Sequence, residues 1–155
     1  MHRGILGWTL VAVQFVLLIA VVLLPRTTPT LPRMAIGVPI IAAGAALGLV
    51  AFRHLGSALT ATPVPIEGAG LRTDGAYRYV RHPIYSSILL MAIGYAIVMG
   101  SIWTWLGVAV LGAFFVMKSR WEDSLLAETY GEVWVRWAEG TGALTPRITR
   151  RGPAA

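Results

Sequence analysis

Four apolar stretches, none with a charged residue inside it, dominate this sequence: residues 5–24, 34–52, 84–99 and 102–117. The first two have the length of about 20 residues that an α-helix needs to cross roughly 30 Å of hydrocarbon. The last two are shorter and are joined only by Gly100 and Ser101. So tight a connection predicts an antiparallel helical hairpin that falls short of the full bilayer thickness. A charge at the centre of a span would cost roughly 2.5–3.5 kcal/mol on insertion scales, so the position of the charged residues marks the span ends.

The expected architecture is an all-α integral membrane protein of about four transmembrane helices, with a short helical hairpin and a C-terminal interfacial helix. It reads as a single membrane domain over 1–155: two N-terminal spans (1–52), a loop (53–83), the hairpin (84–117), and a C-terminal helix and tail (118–155). The composition agrees, with 56% hydrophobic and only 13% charged residues, where soluble domains carry about 25% charged. Arg3 before the first apolar run is a weak signal-peptide feature, but no small-residue cleavage site follows, and the run is expected to stay as a span.

With four spans, 11 of the 13 Lys and Arg residues fall on one side, and only Arg26 and Arg33 on the other. The positive-inside rule then places both termini in the cytoplasm. The net charge of +6 is accounted for by these flanking residues, so no nucleic-acid partner is expected. The absence of cysteine excludes thiolate metal sites and cysteine nucleophiles. With His2, His54 and His82 the only histidines, no metal centre is expected. Gly44 and Gly48, and likewise Ala92 and Ala96, form small-xxx-small pairs. These mark close helix packing within the bundle or in a homodimer.

The loop is rich in Pro, Gly and Thr. Thr62-Pro63-Val64-Pro65 should be extended and Asp74-Gly75 should turn. Two polar constellations flank the hairpin. Before it stands Tyr77-Arg78-Tyr79-Val80-Arg81-His82-Pro83-Ile84-Tyr85-Ser86. Pro83 suits the first helical turn. That places His82 near the N-cap, where Arg81 and the free backbone donors make an anion site. The other reading of these residues is positive-inside arginines and belt tyrosines. After the hairpin a charged helix is expected from about Ser119 to Glu139, with Glu122, Leu126, Tyr130 and Trp134 on one face. Its other reading is an interfacial amphipathic helix. Because the hairpin returns on itself, His82 and Glu122 should emerge side by side. A basic site beside a carboxylate and aromatic rings suits a zwitterion with a cationic centre.

In these residues the chain resembles the isoprenylcysteine carboxyl methyltransferase family in its small prokaryotic form, and more distantly the phospholipid N-methyltransferases. Arg81-His82-Pro83-Ile84-Tyr85 matches the first motif; Glu122-Asp123-Ser124-Leu125-Leu126 matches the second; Tyr130-Gly131-Glu132-Val133-Trp134-Val135-Arg136-Trp137 matches the third. The resemblance covers residues 71–148. It departs from the family pattern at Asp123, where Glu is usual, at Trp134 and Trp137, where tyrosines are usual, and at Ser86-Ser87.

The resemblance implies a methyltransferase that uses S-adenosylmethionine on a lipophilic or lipidated acceptor, such as the carboxylate of a prenylated substrate, in a bacterial or archaeal plasma membrane. It implies cofactor binding by Arg81, His82, Pro83, Tyr85, Glu122, Leu126 and Tyr130, with the C-terminal helix closing the pocket. It assigns no catalytic residue, and a carboxylate acceptor needs no general base. Two other readings stay open: a non-catalytic membrane assembly subunit, and a membrane reductase using a nicotinamide cofactor.

Overall fold

The computed structural model describes residues 2–55 and 70–147. Five α-helices follow one another: α1 (His2–Leu23), α2 (Leu31–Leu55), α3 (Pro83–Met99), α4 (Ile102–Tyr130) and α5 (Glu132–Gly140). A short 3-10 helix (Gly75–Arg78) precedes α3; the turn expected at Asp74-Gly75 opens it. The expected extended run at 62–65 lies outside the described residues. Helices α1, α2 and α4 are long and apolar enough to cross a membrane, and α3 is a shorter apolar helix. The protein is thus an all-α membrane protein.

Helix α3 is the centre of the bundle. Sandwiched on both sides, it is apolar all round, as a buried helix should be. One side packs on α2 through glycines. A Cβ at Gly94 would lie 2.7 Å from the Gly37 carbonyl oxygen and 2.9 Å from the Ile41 nitrogen. A Cβ at Gly44 would lie 2.9 Å from both the Met91 nitrogen and the Ser87 oxygen. These are backbone atoms that have nowhere to move. With no hydrophobic force between helices in lipid, van der Waals contact at this range is what holds them. The Gly44–Gly48 face is therefore occupied by α3. The other side of α3 presents Ala92 and Ala96 to a core shared with Leu10 and Val21 of α1 and Val108, Leu111, Phe114 and Phe115 of α4.

At the Gly100 end, that glycine caps α3 with φ 61°, a conformation nearly free only to glycine. The α1–α2 connection is fastened to this turn. Thr27 donates from its nitrogen (3.0 Å) and its hydroxyl (2.5 Å) to the Met99 carbonyl, and Arg33 Nη1 donates to the Thr27 hydroxyl at 2.8 Å.

One boundary differs from expectation. Helix α4 does not end near Met117 but runs unbroken to Tyr130, because residues 118–130 hold neither Gly nor Pro. The break falls at Gly131, with φ 55° and ψ −133°, so Trp134 and Trp137 stand on a separate helix, α5.

Gly94→Ala should destabilise the detergent-solubilised protein by about 1–3 kcal/mol through overpacking. Gly112→Ala, whose Cβ would meet only Leu89 at 3.9 Å, should stay within about 0.5 kcal/mol. Thermal unfolding of the two variants side by side checks this.

Candidate functional site

The site lies at the end of the hairpin opposite Gly100, where the segment before α3 meets the second half of α4. Pro83 is fully buried at the start of α3, which fixes His82 as N-cap. A strap from the far end of the chain holds this entry in place. Val80 and Gly142 form a parallel bridge. The nitrogens of Arg81 and His82 donate to the carbonyls of Gly142 (2.8 Å) and Ala143 (3.0 Å). Ser86 Oγ donates to the Leu144 carbonyl at 2.7 Å.

From α4 the adjacent carboxylates Glu122 and Asp123 meet this entry. His82 lies between them, with Nδ1 at 3.2 Å from Glu122 Oε2 and Nε2 at 2.8 Å from Asp123 Oδ1. Asp123 Oδ2 accepts from Arg81 Nη2 at 2.9 Å. The Tyr85 hydroxyl donates to Glu122 Oε1. The result is one continuous chain, Tyr85–Glu122–His82–Asp123–Arg81, in which every carboxylate oxygen faces its own partner. Arg81 also donates from Nη1 to the carbonyls of Ala138 (3.0 Å) and Thr141 (2.5 Å). It thereby satisfies the C-terminal end of α5, where a cation is favoured. Its guanidinium carbon stands 5.7 Å from the Trp134 ring centroid.

The walls are aromatic. Tyr85 stacks on His82 (5.5 Å between centroids, 8° between planes) and on Phe115 (4.7 Å, 20°). Tyr77, on the 3-10 helix, is buried. Its burial, and secondarily the charge of Glu122, push its phenol up to about 12, so it remains an O–H donor at neutral pH. Lys118 is buried beside the site, 4.8 Å from the Tyr85 ring centroid and 2.6 Å from Gln14 Oε1. At this site two buried donors, Arg81 Nε and Trp134 Nε1, have no hydrogen-bond acceptor.

The structure thus brings together Arg81, His82, Tyr85 and Glu122 of the expected residues, with Pro83 behind them. Leu126 and Tyr130 follow Glu122 on α4 at about 6 and 12 Å along the axis. They are half-buried and stand outside the bonded chain. The expected stripe from Glu122 to Trp134 is broken at Gly131, although Trp134 still reaches the site through Arg81. The expected free anion site at Arg81 and His82 is largely filled by the protein's own carboxylates. Asp123, Tyr77, Lys118 and Gln14 were not among the expected cofactor-binding residues, although Asp123 stood out as a departure from the family pattern and Tyr77 opened the polar run before the hairpin. Asp123 carried a signal: it directly follows Glu122, and two carboxylates on one helix turn answer the adjacent cations Arg81 and His82.

Burial alone would lower the His82 pKa, but hydrogen bonds and charge from Asp123 and Glu122 outweigh it and raise it. A carboxylate on each ring nitrogen favours the imidazolium form of His82, which donates twice and has no lone pair to act as a base.

A helical membrane bundle with a charge-paired, aromatic-walled site at one end defines an integral membrane protein that handles polar chemistry at the bilayer edge. The phospholipid methyltransferase family matches residues 32–133, and the chain belongs to that family. This bears out the family resemblance, whose Arg81–Tyr85 and Glu122–Leu126 motifs lie inside the match, and makes the protein a membrane methyltransferase. Comparison with the curated proteins finds no match. The matched region holds Arg81, His82, Tyr85, Lys118, Glu122 and Asp123, whereas Gln14 of α1, Trp134 and the strap lie outside it.

Because the folded-state pKa of His82 lies above its unfolded value of 6.5, its stabilisation is complete below the unfolded value. It is lost as pH rises through the folded value. The unfolding midpoint in detergent should therefore fall as pH rises above 6.5. His82→Gln should be less stable at low pH and lack this part of the slope; an unchanged slope would show that another group titrates.

Proposed function

We propose that the protein transfers a methyl group from S-adenosylmethionine to a lipophilic acceptor, and that the acceptor atom is a carboxylate oxygen. The observation that carries the reading is the bonded chain Tyr85–Glu122–His82–Asp123–Arg81, which joins both methyltransferase motifs across the hairpin in a chain of the phospholipid methyltransferase family.

The residues fit the cofactor. Its carboxylate needs donors, and Arg81 Nε and Trp134 Nε1 are buried donors without acceptors on neighbouring side chains. Its cationic groups need anionic or π-rich surroundings, and Glu122 with the rings of Tyr85 and Tyr77 supplies these. Leu126 and Tyr130, further along α4, would close the pocket toward α5. When bound, the cofactor supplies an electrophilic methyl on a sulfonium whose sulfur leaves with the carbon–sulfur electron pair.

The protein's own residues do the rest. The buried walls exclude water, which favours a step in which an anion and a cation neutralise each other. Packing around Tyr85 and Phe115 fixes the line of approach. The imidazolium of His82 orients Glu122 and Asp123 and takes no proton. A carboxylate acceptor is already ionised and requires no base, which agrees with a site whose histidine is doubly engaged. The excess of Lys and Arg on the side that bears the site supports a cytoplasmic cofactor entrance with both termini on that side.

Calorimetry on the purified protein should detect S-adenosylmethionine binding, weakened by about tenfold or more in His82→Ala and in Glu122→Ala. Unchanged affinity in both variants overturns the site. With methyl-labelled cofactor and a membrane lipid and protein extract, the labelled product should release methanol in mild alkali, as a methyl ester does. An alkali-stable product overturns the carboxylate assignment.

A further inference from the structure

Lys118 is a buried cationic side chain that the bonded chain does not use. It is 3% exposed and lies on α4, a helix of membrane-spanning length, about 24 Å along the axis from Ile102. An ammonium at such depth is costly and marks function by default. The groups that touch it are themselves uncharged. The hydrogen bond from Nζ goes to the neutral amide of Gln14 at 2.6 Å, and its aromatic neighbour is the Tyr85 ring. Glu122, one turn on, already has both oxygens facing Tyr85 and His82. An ammonium carries three donors, and Gln14 accepts one of them.

The position of the pair is equally informative. Gln14 is the polar interruption in the first apolar stretch. It lies on α1, which packs on α4 and exposes Val13, Phe15 and Val16. The seam between α1 and α4 therefore borders the lipid. Two groups of donors thus flank the Tyr85–Glu122 centre. Arg81 Nε and Trp134 Nε1 stand toward α5, and Lys118 with Gln14 stands toward α1.

We infer that Lys118, braced by Gln14, is the subsite for an oxyanion carried on an apolar tail, and that it selects the acceptor arriving from the bilayer. This rests on the methyltransferase reading and names what that site accepts. A carboxylate has two oxygens, so one held by Lys118 leaves the other free to react. The phosphate of a lipid headgroup offers the same chemistry with its acceptor atom elsewhere in the molecule.

The test titrates dodecanoate, dodecyl phosphate and dodecanol, without cofactor, into the full chain in phosphatidylcholine nanodiscs, read by tryptophan fluorescence. The wild type should bind at least one anionic probe about tenfold more tightly than dodecanol. Preference for dodecanoate identifies a carboxylate, and preference for dodecyl phosphate a headgroup. Lys118→Met, apolar and of similar length, should erase the preference, and Lys118→Arg should keep it. Calorimetric affinity for S-adenosylmethionine should stay within about twofold in Lys118→Met. An anion preference that survives Lys118→Met overturns the inference, and so does a large loss of cofactor affinity with the preference intact. Gln14→Leu, which only makes α1 more apolar, should reduce the preference about threefold; no reduction there overturns the inference even where Lys118→Met fails to fold. Absence of cofactor binding by the wild type would overturn the methyltransferase reading, while the probe titration judges Lys118 separately.

Discussion

Two neighbouring carboxylates on α4 balance two neighbouring cations at the entry to α3, and the site end of the molecule hangs on that balance. Glu122 and Asp123 face His82 from both ring nitrogens, and Asp123 goes on to Arg81. Removing one partner of a buried pair leaves an uncompensated charge, typically at a cost of about 3–5 kcal/mol. Here it would do more than that, because the same guanidinium holds the carbonyls that finish α5. Electrostatics, the strap at residues 141–144 and the docking of the last helix are therefore a single coupled arrangement.

That arrangement needs a rigid frame, which comes from the absence of side chains. At Gly37, Gly44 and Gly94 the backbones of α2 and α3 come so close that a methyl group would strike main-chain atoms. The contact locks the rotation of α3 about its axis, and the rotation of α3 decides where Tyr85 points. Stacked against Phe115 and bonded to Glu122, Tyr85 then couples the frame to the charges.

The spans were legible because charge exclusion from hydrocarbon is a strong, local rule. The juxtaposition of His82 with Glu122 was legible because Gly100-Ser101 leaves the hairpin only one way to fold. What escaped reading depends on three-dimensional contact. Asp123 looked like a shortened glutamate, yet it bridges Arg81 and His82. Lys118 counted only among the positive charges that flank the spans, because nothing in the local sequence reveals that Gln14, on another helix, would meet it. The end of α4 was misplaced for a related reason. A change from apolar to charged residues signals the membrane boundary, but a helix stops only where the backbone must turn, at Gly131.

The length of α3 has one more consequence. Its 17 residues rise about 25 Å, against roughly 30 Å of hydrocarbon. Arg26, Arg33, Trp103 and Trp105 gather near the Gly100 turn and suit one headgroup layer. A helix anchored at that layer would leave its His82 end several ångströms short of the opposite one. At that depth water is scarce, and polar groups must be satisfied by the protein itself. The one-to-one matching of donors to carboxylate oxygens is the internal solvation that such a depth demands. Under the proposed reaction it would also place the reacting end of an apolar acceptor where its tail already lies, so that the acceptor would not need to be lifted out of the bilayer to react.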